Sequence, residues 1–268
     1  MKKRSVKLMP DANSNFWIVK LTTPMFWILF GTFLILLVIM TLILRNRSET
    51  AKKVVICVIC FSALIGFFFY KYFLSIDTEY DQITKMKGGF NWWGELPLHL
   101  CNINLILIPI SVLTKKRGLM SFCFFVGSLG ALMAIFMPGI GFDGYSILLP
   151  RMIGFFGTHY IIAIMALAIV TFGLYRPRFR DLPVTVLTIL LVTLAVHGIN
   201  MLFRVTGLYP DSNYFFTINP EGNPVLEMFY KWIPYPFLYQ LPCIGILLVY
   251  VCFIMLGFTI FGKSSKRR

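Results

Sequence analysis

The chain has 268 residues, of which 58% are hydrophobic and only 13% charged, and it contains 27 Phe. A soluble domain is nearer half apolar and about a quarter charged, so this balance excludes an ordinary water-soluble domain and leaves one polytopic membrane domain. The formal net charge of +14 is divided among short loops rather than gathered on one face, which argues against a nucleic-acid partner.

Residues 1–23 read as a basic tail opening Met1-Lys2-Lys3-Arg4. The polar stretch that follows, and the length of the first apolar segment, do not suit a cleavable signal peptide, so that segment is expected to stay as a first span. Seven apolar segments are expected to cross a bilayer as helices, over 24–44, 54–73, 96–113, 118–137, 152–175, 183–203 and 237–261. The predicted fold is an all-α seven-helix transmembrane domain over 24–261, with a short basic tail at 262–268. Pro24, Pro97 and Pro183 fall near segment starts, where a missing backbone donor costs little. Pro109 and Pro242 fall inside or near the ends of their segments and are expected to bend them.

Charge placement orients these segments. Arg45, Arg47, Lys52 and Lys53 follow the first, Lys115, Lys116 and Arg117 follow the third, and Arg176, Arg178 and Arg180 follow the fifth. With the C-terminal Lys263, Lys266, Arg267 and Arg268, that side opposes 14 cations to Glu49 and Asp181. The positive-inside rule then puts the N-terminus outside and the C-terminus in the cytoplasm of a multi-pass cell-membrane protein. The basic N-terminal tail opposes this bias and is outweighed by it. The six cysteines lie in or beside apolar segments and show no extracellular disulfide framework, and the Cys57-Val-Ile-Cys60 pair reads as core packing.

All three histidines, His99, His159 and His197, fall within apolar segments, where polar residues are expensive and turn toward the protein interior. Glu95, His99 and Asn102 follow i, i+4, i+7 spacing and would form one polar stripe on a regular helix, with Glu95 orienting His99. His197, Asn200 and Arg204 share a face of the sixth segment. His159 lies about 12 Å along the fifth helix from Arg151. The predicted topology puts all three histidines in the outer half of the bilayer. Three imidazoles also match the ligand count of a zinc site, but chain spacing does not establish contact distances, and no metal is assigned. The segment 208–236 is rich in aromatics and proline; it reads as an interfacial belt with rigid turns, or as a cap over a polar chamber.

The run Trp93-Gly94-Glu95-Leu96-Pro97-Leu98-His99-Leu100-Cys101, with His159-Tyr160, Asn200 and Asn213-Tyr214-Phe215-Phe216, resembles the YwaF-like family of bacterial seven-span membrane proteins. That family is in turn similar to eukaryotic transmembrane lipid acyltransferases. The resemblance implies a cysteine nucleophile and a histidine that move an acyl chain between phospholipids. The acyltransferase cysteine lies between a proline and a histidine. Here that position is Leu98, so the nucleophile falls to Cys101. Side chains at i and i+2 of a helix point apart, so His159 rather than His99 is the expected base for Cys101.

Under this reading Cys101, His99, His159 and Glu95 are catalytic. His197, Asn102, Asn200, Arg151, Arg204, Asn213 and Tyr214 bind substrate. Membrane lipids are the partners, a phospholipid is the substrate, no cofactor is needed, and the sequence names no protein partner. The alternative is a transporter or a binding protein for lipid or small solute, using the intramembrane histidines. It lacks an evident inverted repeat, on which alternating access often rests.

Overall fold

A computed structural model describes residues 16–84, 90–139 and 141–264. The basic residues Lys2 to Lys7 and those after Ser264 lie outside the described residues. Among the described residues the regular structure is helical apart from a two-residue antiparallel pairing of β1 (Ile18–Val19) with β2 (Tyr145–Ser146).

Among the described residues, six helices are long and apolar enough to cross a membrane. They are α1 (Pro24–Leu44), α2 (Glu49–Ser75), the continuous stretch Arg117–Phe136, α7 (Pro150–Thr171), α8 (Leu182–Val205) and α10 (Leu241–Ser264). Proline occupies the first turn of α1, α7 and α8, as the sequence leads one to expect. Two short helices, α3 (Thr78–Thr84) and α9 (Pro224–Trp232), lie in connections. The stretch Arg117–Phe136 divides into α5 (Arg117–Phe122), a π-helical turn over Cys123–Gly127, and α6 (Ser128–Phe136).

The expected helix over 96–113 is corrected. Only α4 (Asn104–Thr114) forms, with 11 residues, about 16 Å at 1.5 Å per residue and roughly half of a hydrocarbon core. Upstream of it the backbone makes tight local bonds, from Leu98 N to Leu96 O at 2.7 Å and from Asn104 N to Cys101 O at 3.0 Å. Pro97 supplies no N–H to a helical ladder. The polar stripe of Glu95, His99 and Asn102 therefore does not exist as one helix face. Irregular backbone at such depth is tolerated only where protein buries it or where it lines a cavity.

The Arg117–Phe136 stretch and α7 are the interior helices, while α1 and α10 face mostly outward. The helix α7 packs on α2 and α6, and α2 also packs on α4. Small residues permit this. A Cβ at Gly154 of α7 would fall 2.2 Å from Tyr70 Cγ of α2, and Ala163, Ala166 and Ala168 are buried further along. Connections fall into two sets. Lys115 Nζ lies 2.8 Å from Glu49 Oε1, and Arg117 pairs with Asp181, tying 45–49, 115–117 and 172–181 together. At the other end, the β1–β2 pairing joins the start of the described chain to 137–149, and Arg151 Nη1 lies 2.6 Å from Asp77 Oδ2.

On this second side, residues 212–221 form a strap fixed to α8 and to the start of α10. Asn200 on α8 is fully buried and uses both ends of its amide. Its Nδ2 donates to Tyr214 O and Thr217 Oγ1, each at 2.8 Å, and its Oδ1 accepts from Ser212 Oγ at 2.8 Å and Tyr214 N at 2.9 Å. Phe215 and Phe216 have φ of 59° and 56°, a costly conformation for bulky residues that persists only where the surroundings enforce it. Gln240 Nε2 donates to the Phe215 carbonyl and Tyr239 Oη to that of Phe216, holding them from the other flank.

The contact between Tyr70 and Gly154 is testable by two substitutions of the same chemistry. Alanine at either glycine of α7 gains about 1 kcal/mol of helix propensity. Gly154→Ala also drives a methyl into the Tyr70 ring, with overpacking of about 1–3 kcal/mol, whereas a Cβ at Gly157 meets nothing within 4 Å. Thermal melts in detergent should show Gly154→Ala lowering the melting temperature and Gly157→Ala holding or raising it. Equal responses would mean the two helices are not in this close contact.

Candidate functional site

The irregular segment 95–103 carries His99 and Cys101 into the interior beside α6 and α7. At its end, where α4 begins, a glycine makes room: a Cβ at Gly127 would lie 2.7 Å from Asn104 Oδ1. Cys101 lies in ordinary contact range of Gly130 on α6. Gly127 closes the π-helical turn, a rare geometry that often marks functional positions.

Cys101 Sγ lies 3.2 Å from His159 Nε2. The other ring nitrogen, Nδ1, is 2.7 Å from the Phe155 carbonyl oxygen one turn earlier on α7. A carbonyl can only accept, so in the neutral ring Nδ1 carries the hydrogen and Nε2 presents its lone pair to the thiol. The Phe155 ring lies against the imidazole, with centroids 4.4 Å apart. A thiol facing an unprotonated, oriented imidazole is the arrangement by which a cysteine is activated as a nucleophile.

The remaining polar residues fall around this pair or away from it. His99 meets the Tyr214 ring edge to face at 4.9 Å and the Phe216 ring at 6.3 Å. Glu95 does not orient His99: its Oε2 lies 2.5 Å from Lys71 Nζ of α2. Asn102 is buried with its Oδ1 unpartnered, and Asn104 donates from Nδ2 to Leu100 O at 2.9 Å.

A second cluster centres on Thr217. Its Oγ1 accepts from Asn200 and lies 3.0 Å from His197 Nδ1, a hydrogen bond whose direction follows the tautomer of that ring. Tyr214 links the two clusters. Its hydroxyl donates to the Trp93 carbonyl and accepts from Leu96 N at 3.2 Å, while its ring meets His99. Burial pushes the Tyr214 phenol well above its ordinary value, so it remains a donor.

Asn213 is committed within the strap, donating to Asn219 and Glu221 and accepting from Ile218 N. Arg204 Nε donates to Ser212 O at 2.8 Å. Arg151 is 1% exposed, paired with Asp77 and Glu79 and stacked over Tyr145. The amides of Asn200 and Asn213 and the terminal nitrogens of Arg151 thus serve the protein's own architecture, while Arg151 Nε is buried without a partner. Among the described residues, no group of three or more His, Cys, Asp or Glu side chains could hold a metal ion, so the three histidines do not assemble as ligands.

Four participants escaped the sequence reading: Lys71, Thr217, the Phe155 carbonyl and the close-approach Gly127. Only Lys71 carried a readable signal, as a lone cation in the run Phe67-Phe68-Phe69-Tyr70-Lys71.

No curated protein and no solved structure matches the chain. The TMEM164 family pattern matches residues 20–256, from just after β1 into α10, and so takes in every helix that positions Cys101, His159 and the strap. The chain belongs to the TMEM164 family of multi-pass membrane proteins.

Proposed function

We propose that this protein is an integral membrane acyltransferase that remodels phospholipids through Cys101 and His159. The observation that carries this reading is the 3.2 Å approach of His159 Nε2 to Cys101 Sγ, with Nδ1 tied to the Phe155 carbonyl. A lipid-embedded helical domain brings such a pair within reach of acyl chains. The likeness of the 93–101 run to the YwaF-like family, itself similar to transmembrane lipid acyltransferases, points the same way, with Cys101 in place of the cysteine those enzymes carry where Leu98 stands.

The reaction has two balanced halves. Nε2 takes the thiol proton as Sγ attacks the ester carbonyl of a phospholipid. The carbon–sulfur bond forms, the ester carbon–oxygen bond breaks, and the proton passes from His159 to the departing glycerol oxygen, releasing a lysophospholipid. A second lysophospholipid hydroxyl then attacks the thioester. His159 takes its proton, the carbon–sulfur bond breaks, and the proton returns to sulfur. No cofactor enters either half.

The Asn102 amide adjoins the nucleophile and is assigned as the oxyanion donor. Asn104 Nδ2 and Asn200 are already committed elsewhere. Arg204, bound to the protein through Nε, is assigned to the lipid phosphate in preference to Arg151, which is 1% exposed and whose terminal nitrogens pair with Asp77 and Glu79.

In this reading the chain crosses the membrane seven times, segment 95–103 and α4 together making the third crossing. The N-terminus is outside and the C-terminus cytoplasmic, as the distribution of basic residues favours.

Purified protein incubated with defined phospholipid and lysophospholipid vesicles, and followed by mass spectrometry, tests the chemistry. Wild-type protein should exchange acyl chains, Cys101→Ala should abolish exchange, and His159→Asn should slow it by about 10²- to 10⁴-fold. Exchange that survives Cys101→Ala sinks the thiol mechanism. A folded wild-type protein that exchanges nothing at any pH points instead to binding or transport. For topology, an epitope fused after Arg268 should resist protease in intact cells and be cleaved once the membrane is permeabilised. Cleavage in intact cells would reverse the orientation.

A further inference from the structure

The connection between α8 and α10 carries α9, a helix whose surface divides into three sectors. Its start is set locally. Asn223 Oδ1 accepts from Val225 N at 3.1 Å and from Leu226 N at 3.2 Å, and Pro224 occupies the first turn. At about 3.6 residues per turn, Val225, Met228 and Trp232 share one face, and Glu227 and Lys231 lie on another. The third sector seats the helix on the protein: Phe229 is buried, and the Tyr230 ring meets that of Tyr239 edge to face at 5.2 Å. The apolar face is left open. Val225 and Met228 are exposed, and Trp232 is 68% exposed. A contiguous exposed apolar face marks a contact with something other than water.

The height of α9 in the bundle identifies that contact. The strap that holds it is docked well inside the end of α8. Thr217 Oγ1 lies 3.0 Å from His197 Nδ1 and accepts from Asn200 Nδ2 at 2.8 Å. From His197 to Val205, the last residue of α8, is about 12 Å of helix. With 24 residues, α8 is about 36 Å long and exceeds a hydrocarbon core by only some 6 Å, so Thr217 sits below the membrane boundary on this side. The far end of the α9 connection returns to the same level. Phe237 N donates to Thr217 O at 2.6 Å, and Tyr239, the seat of α9, donates from Oη to Phe216 O. These bonds keep α9 at the bilayer surface.

Its neighbours there already face lipid. Met201, Leu202 and Val205 near the end of α8, and Leu238 and Leu241 where α10 begins, are exposed side chains of membrane-crossing stretches. Trp93, also exposed, packs on Phe203 with ring centroids 5.5 Å apart, and Trp is a side chain that favours the membrane–water interface.

We propose that α9 is an interfacial helix whose Val225, Met228 and Trp232 face is embedded in the lipid surface, at the boundary of headgroups and acyl chains. Glu227 and Lys231 face the aqueous side. A helix divided in this way lies in the plane of the interface with its apolar face about 5–10 Å deep, which matches the level at which Thr217 and Tyr239 hold it. The contact stands apart from the acyl-transfer reading and from the orientation of the chain, since a bilayer offers such an interface on both sides.

Quenching from the two solvents tests it. The full-length protein is reconstituted in phosphatidylcholine nanodiscs, with an environment-sensitive fluorescent amino acid encoded at position 228 or, on the polar face, at position 231. Lipid bearing a nitroxide close to its headgroup should quench the label at 228 at least about threefold more strongly than the label at 231, and aqueous iodide should quench in the reverse order. Iodide quenching at 228 as strong as at 231 would mean that this face meets water, and overturns the proposal. Protection of 228 from both quenchers would mean that protein covers it, another part of the chain or a second copy, and overturns it as well. So does equal quenching by lipid at the two positions, because the helix would then have no lipid-directed face. A label at 225 repeats the measurement if position 228 does not tolerate one.

Discussion

Backbone amides and carbonyls cannot face hydrocarbon without partners, and most of this chain meets that constraint by forming long helices. The segment 95–103 does not, and much of the surrounding structure serves that exception. Where it ends, Gly127 in the π-helical turn leaves room for the Asn104 side chain that opens α4. The pair of Lys71 with Glu95 holds the start of the segment, and Tyr214 reaches down from the strap to bond Trp93 and Leu96. The helix resumes at Asn104 only after Cys101 has been delivered to His159.

The strap has its own supports. Asn200 engages it from α8, bonding Tyr214 and Thr217, and Tyr239 and Gln240 engage it from the short turn just before α10. Such reinforcement on two flanks keeps Phe215 and Phe216 at positive φ, which costs of order 1–3 kcal/mol per residue. It also ties His197 and His99 to a common scaffold, although neither contacts the other: His197 bonds Thr217, and His99 packs on Tyr214 and Phe216.

The long helices are legible in the sequence because length and apolar composition suffice. Pro24–Leu44 is delimited by a proline at one end and arginines at the other, and α7 and α8 begin at Pro150 and next to Pro183. The third segment misleads because 96–113 is long and mostly apolar. Whether it is helical depends on how Pro97 and the polar groups at 99–104 bond locally, which periodicity does not report. His159 and Cys101 stand 58 positions apart, so their meeting is a product of helix packing. Histidine within an apolar run marks a residue with a polar partner without saying which one. Asn200 and Asn213 illustrate the other side of this: their amides stand out as polar residues in an apolar chain, yet Asn200 bonds the strap from α8 and Asn213 bonds within it.

The bond from His159 to Phe155 stays within a single helix, whereas the approach to Cys101 spans two separately supported pieces of chain. The two requirements on the base are therefore separable. Its tautomer travels with α7 wherever that helix tilts. Its reach toward sulfur is a property of how the bundle is squeezed together, and hence of the lateral pressure and thickness of the lipid around it.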